Sequence, residues 1–132
     1  MPLEISDVLA IHQLYANYSF ASDHGDGAAY AACFTSDGVF EMPGRRVEGA
    51  DALAASSTNA SDGAPAMRHM LSNIVVDGEG DQARGKAYAT LLRTQAAPVA
   101  ILMTGEYSDH LVRVDGSWRF SQRRFTPDAA PS

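Results

Sequence analysis

Two residues of this chain carry side chains suited to moving a proton near neutral pH, and they stand where a fold could bring them together. His69 lies in the run MRHMLSNIVV, whose alternation places it with Met67, Leu71 and Val75 on the apolar face, opposite Arg68 and Ser72. Asp23 closes a long amphipathic first helix. A neutral imidazole titrates near pH 7, and a carboxylate on its far nitrogen fixes the tautomer and stabilises the imidazolium that forms. Together they suggest a pocket with a base in it. The competing expectation for His69 is a buried histidine satisfied by a core hydrogen bond.

The rest of the titratable inventory narrows the chemistry. His12 and His110 lie where neither helix face nor alternation gives them a partner, and His24, beside Asp23, is expected to point away from His69. There is no His-x-His, no His-Glu-x-x-His and no tight carboxylate cluster, so no metal site is expected. Cys33 is the only cysteine, which excludes an internal disulfide and makes a buried structural thiol the expectation. Gly78-Glu79-Gly80 reads as a turn and lacks the strand-to-helix setting of a dinucleotide fingerprint. With no cofactor expected, the chemistry left is what side chains can do: proton transfer, elimination, isomerisation or hydrolysis.

The 132 residues, 45% hydrophobic and 20% charged, suit one soluble globular domain with a core of its own. A net charge of −6 with no basic run argues against a nucleic-acid surface. The N-terminal MPLEISDVLAIHQLY has neither the pattern of a signal peptide nor that of a membrane span, so no membrane partner and a cytoplasmic location are expected.

These residues are positioned by helices first and strands afterwards. Ser6 is the expected N-cap of a helix running to about Ser22, with Val8, Leu9, Ile11, Leu14, Tyr15, Tyr18 and Ala21 on one broad face. A short helix over Ala28 to Phe34, a Thr35-Ser36-Asp37-Gly38 turn, a brief strand from Val39 to Met42, a small hairpin at Pro43-Gly44 and a third helix from Ala50 to Ser57 follow. Asn59 to Pro65 reads as a loop. From Ala66 the period becomes two: strands are expected over Ala66 to Val76, Gln82 to Ala97, Val99 to Val114 and Ser117 to Phe125, with a loose tail at 126–132. Asp115-Gly116 between alternating runs is a strong hairpin signal, because both positions of a tight primed turn need positive φ. The class is α+β, with helices covering one face of a mostly antiparallel sheet.

In this order, FASDHGDGAAYAACFTSDGVF, MRHMLSNIVVDGEGDQARGKAY and GEYSDHLVRVDGSWRF resemble the SnoaL-like branch of the nuclear transport factor 2-like superfamily across nearly the whole chain. Within it the chain looks most like the group containing scytalone dehydratase, hexachlorocyclohexane dehydrochlorinase and bile acid 7α-dehydratase. The resemblance implies a cone-shaped barrel enclosing a deep pocket. In those eliminating enzymes a histidine at the start of the first long strand takes a proton from carbon and an aspartate at the end of the first helix supports it, which is where His69 and Asp23 fall. Arg123, on the final strand, matches a pocket arginine that meets an anionic leaving group or enolate-like oxygen. Regular alternation puts only one of Arg123 and Arg124 inside, and a solvated strand end is the alternative for both. Tyr18 matches a tyrosine five positions before the aspartate, with a core role as its alternative; five positions differ by roughly 140° on an ideal helix, so both reach one pocket only if the helix frays or bends at Ser22. The ketosteroid isomerases, of the same fold, use a carboxylate base about where Met42 stands; Glu41 is adjacent but of opposite parity unless the strand bulges.

The expected function is a cofactor-independent lyase or isomerase acting on a hydrophobic, cyclic small molecule, with His69 as base, Asp23 as its orienting partner, and Arg123 and Tyr18 as polar contacts. The alternative is a non-catalytic binding protein or an accessory subunit of an oxygenase. An intact, desolvated pair inside a cavity favours the enzyme, and a pocket filled by aromatic side chains favours the binder. Long strands with apolar residues on both faces, including Val99, Ile101 and Met103 opposite Ala100 and Leu102, lead to a homodimer or larger assembly through the outer face of the sheet.

Overall fold

The computed structural model describes residues 1–60 and 67–129. In chain order the elements are α1 (Ile5–His24), α2 (Gly27–Ala32), β1 (Phe34–Met42), β2 (Arg45–Glu48), α3 (Ala50–Ala60), β3 (Met67–Glu79), β4 (Gln82–Arg93), β5 (Ala100–Val114) and β6 (Ser117–Pro127). The expected α+β class with three helices in the first half is the one observed. The strands form one six-stranded sheet in the order β2-β1-β6-β5-β4-β3, antiparallel throughout except for the parallel pair β1 and β6. The sheet does not close into a barrel: β2 and β3 are its edges. It curves instead, since α1 packs against both β3 and β6, which two strands separate in the sheet. Register slips at Ser72/Val75, Leu91/Leu92 and His110/Leu111 supply the bending, and Asn73 takes up the first of them with a φ of 57°.

The N-cap of α1 lies two residues before Ser6. Glu4 is the N-cap, and its backbone N–H donates to Asp7 Oδ2 at 3.1 Å in a reciprocal capping box. The helix runs past Ser22 to His24, where Gly25 ends it in the left-handed region at φ 66°. Ile11, Tyr15 and Tyr18 are buried, while Leu9, expected inside, is 65% exposed. The second helix is shorter than expected: Cys33 caps it, and Phe34 begins a strand. The expected Thr35–Gly38 turn is instead a bulge within β1, which pairs with β6 at Phe34 and again from Val39. Asn59 and Ala60 extend α3, and the rest of the expected Asn59–Pro65 loop lies outside the described residues. β6 runs through Thr126 and Pro127, and Asp128 is tied to Thr104 by two hydrogen bonds, so the expected loose tail is anchored that far.

The Asp115-Gly116 turn has φ 51° and 81°, as a primed hairpin requires. Its hairpin is bolted to the start of α1: Trp118 Nε1 donates to Asp7 Oδ1 at 3.0 Å and Arg113 Nη1 to the same oxygen at 2.8 Å. The Trp118 bond above all, then the Glu4 N–H and Arg113, hold the Asp7 carboxyl below its ordinary value. A carboxylate with a lowered folded-state pKa stabilises the fold above its unfolded value and ceases to as pH falls through the folded one. The urea midpoint of Asp7→Asn should therefore lie below wild type at about pH 6, and the gap should shrink toward about pH 2–3. A gap constant with pH would show that the carboxylate charge contributes nothing.

Candidate functional site

β3 carries His69 near its start, opposite Leu91 of β4, and α1 carries Asp23 in its last turn. Asp23 Oδ1 lies 2.6 Å from His69 Nδ1, and both carboxylate oxygens accept the His69 backbone N–H, at 3.1 and 3.2 Å. One carboxylate thus fixes both the ring and the strand that bears it. A carboxylate can only accept, so the Nδ1 proton points at Asp23 and the lone pair is left on Nε2. The side chains are 12% and 15% exposed, enough shelter to strengthen the pairing and enough access for a ligand.

His69 lines a cavity of about 300 Å³. Three phenols, Tyr18, Tyr30 and Tyr107, border it, with Phe40, Met42, Leu91, Met103 and Phe125 as apolar wall and Ser22, Ser56, Ser57 and Arg45 as further polar lining. Asp23 is not part of this lining. It lines a second recess of about 340 Å³ with Ser19, Phe20, His24, Arg68 and Thr94, and Met67 and His69 separate the two. The unbroken helix explains this: Tyr18 and Asp23 point apart, and only because His69 stands between them do both belong to one site. His24, expected to face away, stacks on Phe20 in that second recess.

Tyr18 and Tyr30 share a hydrogen bond of 3.0 Å between their hydroxyls. Burial pushes Tyr107 up to about 12 against the opposing pull of Arg123, and raises Tyr18 and Tyr30 as well. All three are neutral donors at physiological pH.

Arg123, not Arg124, faces inward; Arg124 lies on the outer face 3.7 Å from Glu41. Arg123 is 0% exposed and lies a layer beneath the cavity, outside its lining. Its guanidinium carbon sits 3.5 Å from the Tyr107 ring centre, 4.2 Å from Tyr18, 4.4 Å from Phe120 and 4.9 Å from Tyr15. Nε is 3.3 Å from Asp109 Oδ1, and Asp109 Oδ2 accepts a 2.5 Å bond from Tyr15. Burial works against both charges. It raises the Asp109 carboxyl, whereas for Arg123 the attraction of Asp109 and the facing phenols outweighs it and keeps the guanidinium cationic. Gly85 leaves room for this arrangement, since a Cβ there would stand 2.2 Å from the Tyr15 hydroxyl.

The carboxylate alternative does not reach the cavity. Glu41 accepts from Arg46 at 3.0 Å and Gln122 at 2.8 Å on the outer face, because the β1 bulge lies upstream of it. Tyr107 and Arg45 went unmarked in the sequence reading. The period-two pattern of β5 and the Pro43-Gly44 hairpin, which sets Arg45 opposite Met42, were the signals that would have placed them inside.

An open, mostly antiparallel sheet curved around three helices, with a histidine and phenols at a cavity between them, defines a cone-like α+β protein of the nuclear transport factor 2-like kind. The family model described as a SnoaL-like domain matches residues 3–124, and the chain belongs to that family. No curated protein matches the sequence. Among solved structures, the chain is 33% identical to a protein of unknown function from Mycobacterium tuberculosis, over 95% of this chain and 73% of that one, with a TM-score of 0.89. It is 25% identical to a candidate scytalone dehydratase from Novosphingobium aromaticivorans, over 95% and 86% of the two chains, TM-score 0.82. A Catenulispora acidiphila protein in complex with S-DNPA is 26% identical, over 95% and 96%, TM-score 0.84. No helix among the described residues is long and apolar enough to cross a membrane.

Proposed function

We propose that this protein is a cofactor-independent lyase or isomerase that removes a proton from carbon in a hydrophobic cyclic small molecule. The observation that carries the reading is the 2.6 Å Asp23–His69 contact at the wall of a cavity of about 300 Å³ whose other described polar groups are phenols, serine hydroxyls and Arg45. His69 Nε2 takes the proton, and Asp23 stabilises the imidazolium. Tyr107 and whichever hydroxyl of the bonded Tyr18–Tyr30 pair keeps its proton free donate to the oxygen on which negative charge grows, whether a carbonyl becoming an enolate or a departing group. Arg123 acts on that oxygen only through the rings in front of it, which makes it a positioning residue. The cavity's size suits a one- or two-ring molecule. The likeness to a candidate scytalone dehydratase favours elimination as the overall outcome.

The test needs no knowledge of the natural substrate. A cyclic ketone such as β-tetralone, incubated with the protein in deuterated water, should gain deuterium beside its carbonyl faster than in buffer. A panel of cyclic ketones and β-hydroxy ketones that binds but exchanges at the buffer rate would leave the protein a binder.

The assembly belongs to the same reading. Met70, Tyr88 and Ile101 are more than half exposed on the outer face of the sheet, and a second copy of the chain there would form a homodimer. Light scattering should give a dimeric or larger mass at micromolar concentration, and a monomeric mass removes this part of the proposal.

A further inference from the structure

Two arginines are adjacent at the start of β2, and the sheet treats them oppositely. Arg46 lies on the outer face, where Glu41 and Glu48 neutralise it at 3.0 and 3.1 Å. Arg45 pairs with Met42 in the β1–β2 register, as Val47 pairs with Phe40, so it belongs to the inner face and lines the cavity, making no ion pair with any described residue. Among the described residues no acidic side chain lines the same cavity; Asp23 lies behind His69. Ser57, 4% exposed, also lines it, and its buried Oγ has no hydrogen-bond partner among the described residues. A buried hydroxyl without a partner is costly, and an exposed cation at the entrance of an otherwise neutral cavity attracts the opposite charge.

We propose that Arg45 and Ser57 form an anion-recognition end of this cavity and select a substrate that carries a carboxylate on its apolar ring system. The inference rests on the reading of the cavity as a substrate site and adds the class of molecule that fills it. Arg45 supplies charge and paired donors, Ser57 a further hydrogen bond, and the ring lies between them and His69.

Naphthoate and its uncharged isostere naphthamide separate the possibilities by calorimetric titration. Wild type should bind naphthoate roughly ten- to a hundredfold more tightly than naphthamide, as expected for a charge-assisted hydrogen bond. The preference should weaken with added salt, because Arg45 is exposed. Arg45→Gln should abolish the preference by weakening naphthoate far more than naphthamide, and Ser57→Ala should reduce it partly. Equal affinities in wild type, or a preference that survives Arg45→Gln, overturn the inference while leaving the cavity reading intact. Failure of both compounds to bind overturns the cavity reading and the inference with it.

Discussion

His69→Ala should lower the proposed proton abstraction from carbon by roughly 10²- to 10⁴-fold, the usual contribution of a positioned general base. The expectation follows from geometry: with Nδ1 committed to Asp23, the lone pair available at the cavity wall is on Nε2, and no carboxylate among the described residues lines the cavity to take over. The fold should survive, since His69 holds its place through a backbone N–H that alanine retains. Asp23→Asn is the sharper probe. It keeps a side chain of the same shape while removing the charge that stabilises the imidazolium, so the rate should fall with little change in melting temperature. The deuterium exchange assay on β-tetralone measures both variants. Wild-type rates in both would make the pair structural.

Arg123→Met should destabilise the protein by about 3–5 kcal/mol, the usual result of removing one partner of a buried ion pair. Arg123 and Asp109 are both fully enclosed, and without the guanidinium Asp109 keeps, among the described residues, only its bond from Tyr15. Domains of this size have roughly 5–15 kcal/mol in all, so the variant sits near the edge of folding. The double variant Arg123→Met/Asp109→Asn should recover part of the loss, because it removes the stranded charge while keeping an acceptor for the Tyr15 hydroxyl. Urea denaturation at neutral pH decides it. A double variant no more stable than the single one would place the cost in lost contacts with the Tyr107 and Tyr18 rings rather than in the charge.

His69 and Arg123 differ in how legible they are in the sequence. Alternation in MRHMLSNIVV places His69 on the inner face, and the helix that closes near Asp23 brings the carboxylate to it, because both are short-range patterns with one dominant period. Arg123 was visible only as one of two adjacent arginines on a strand; its enclosure by aromatic rings comes from α1, β5 and β6 together, elements joined only by tertiary packing. Chain ends of elements were least legible. Ser6 looked like a cap because its side chain is suited to one, yet Asp7, fixed by Trp118 and Arg113 more than a hundred residues away, sets the start of α1 at Glu4. The Thr35–Gly38 segment has turn composition, but pairing with β6 on both sides of it converts the turn into a bulge.

The Asp23 contact has a second consequence, for the edge of the sheet. β3 is a terminal strand, and the outward backbone N–H groups of such a strand are a template for another chain. At His69 that template is already occupied, because the carboxylate that orients the ring also takes the strand's free amide proton. A foreign strand could add at this point only by displacing Asp23, and in doing so it would release the imidazole from its partner. Protection of the edge against strand addition and orientation of the His69 ring are therefore one interaction, and a chain that adds to β3 at this position would undo the proposed base in the same event.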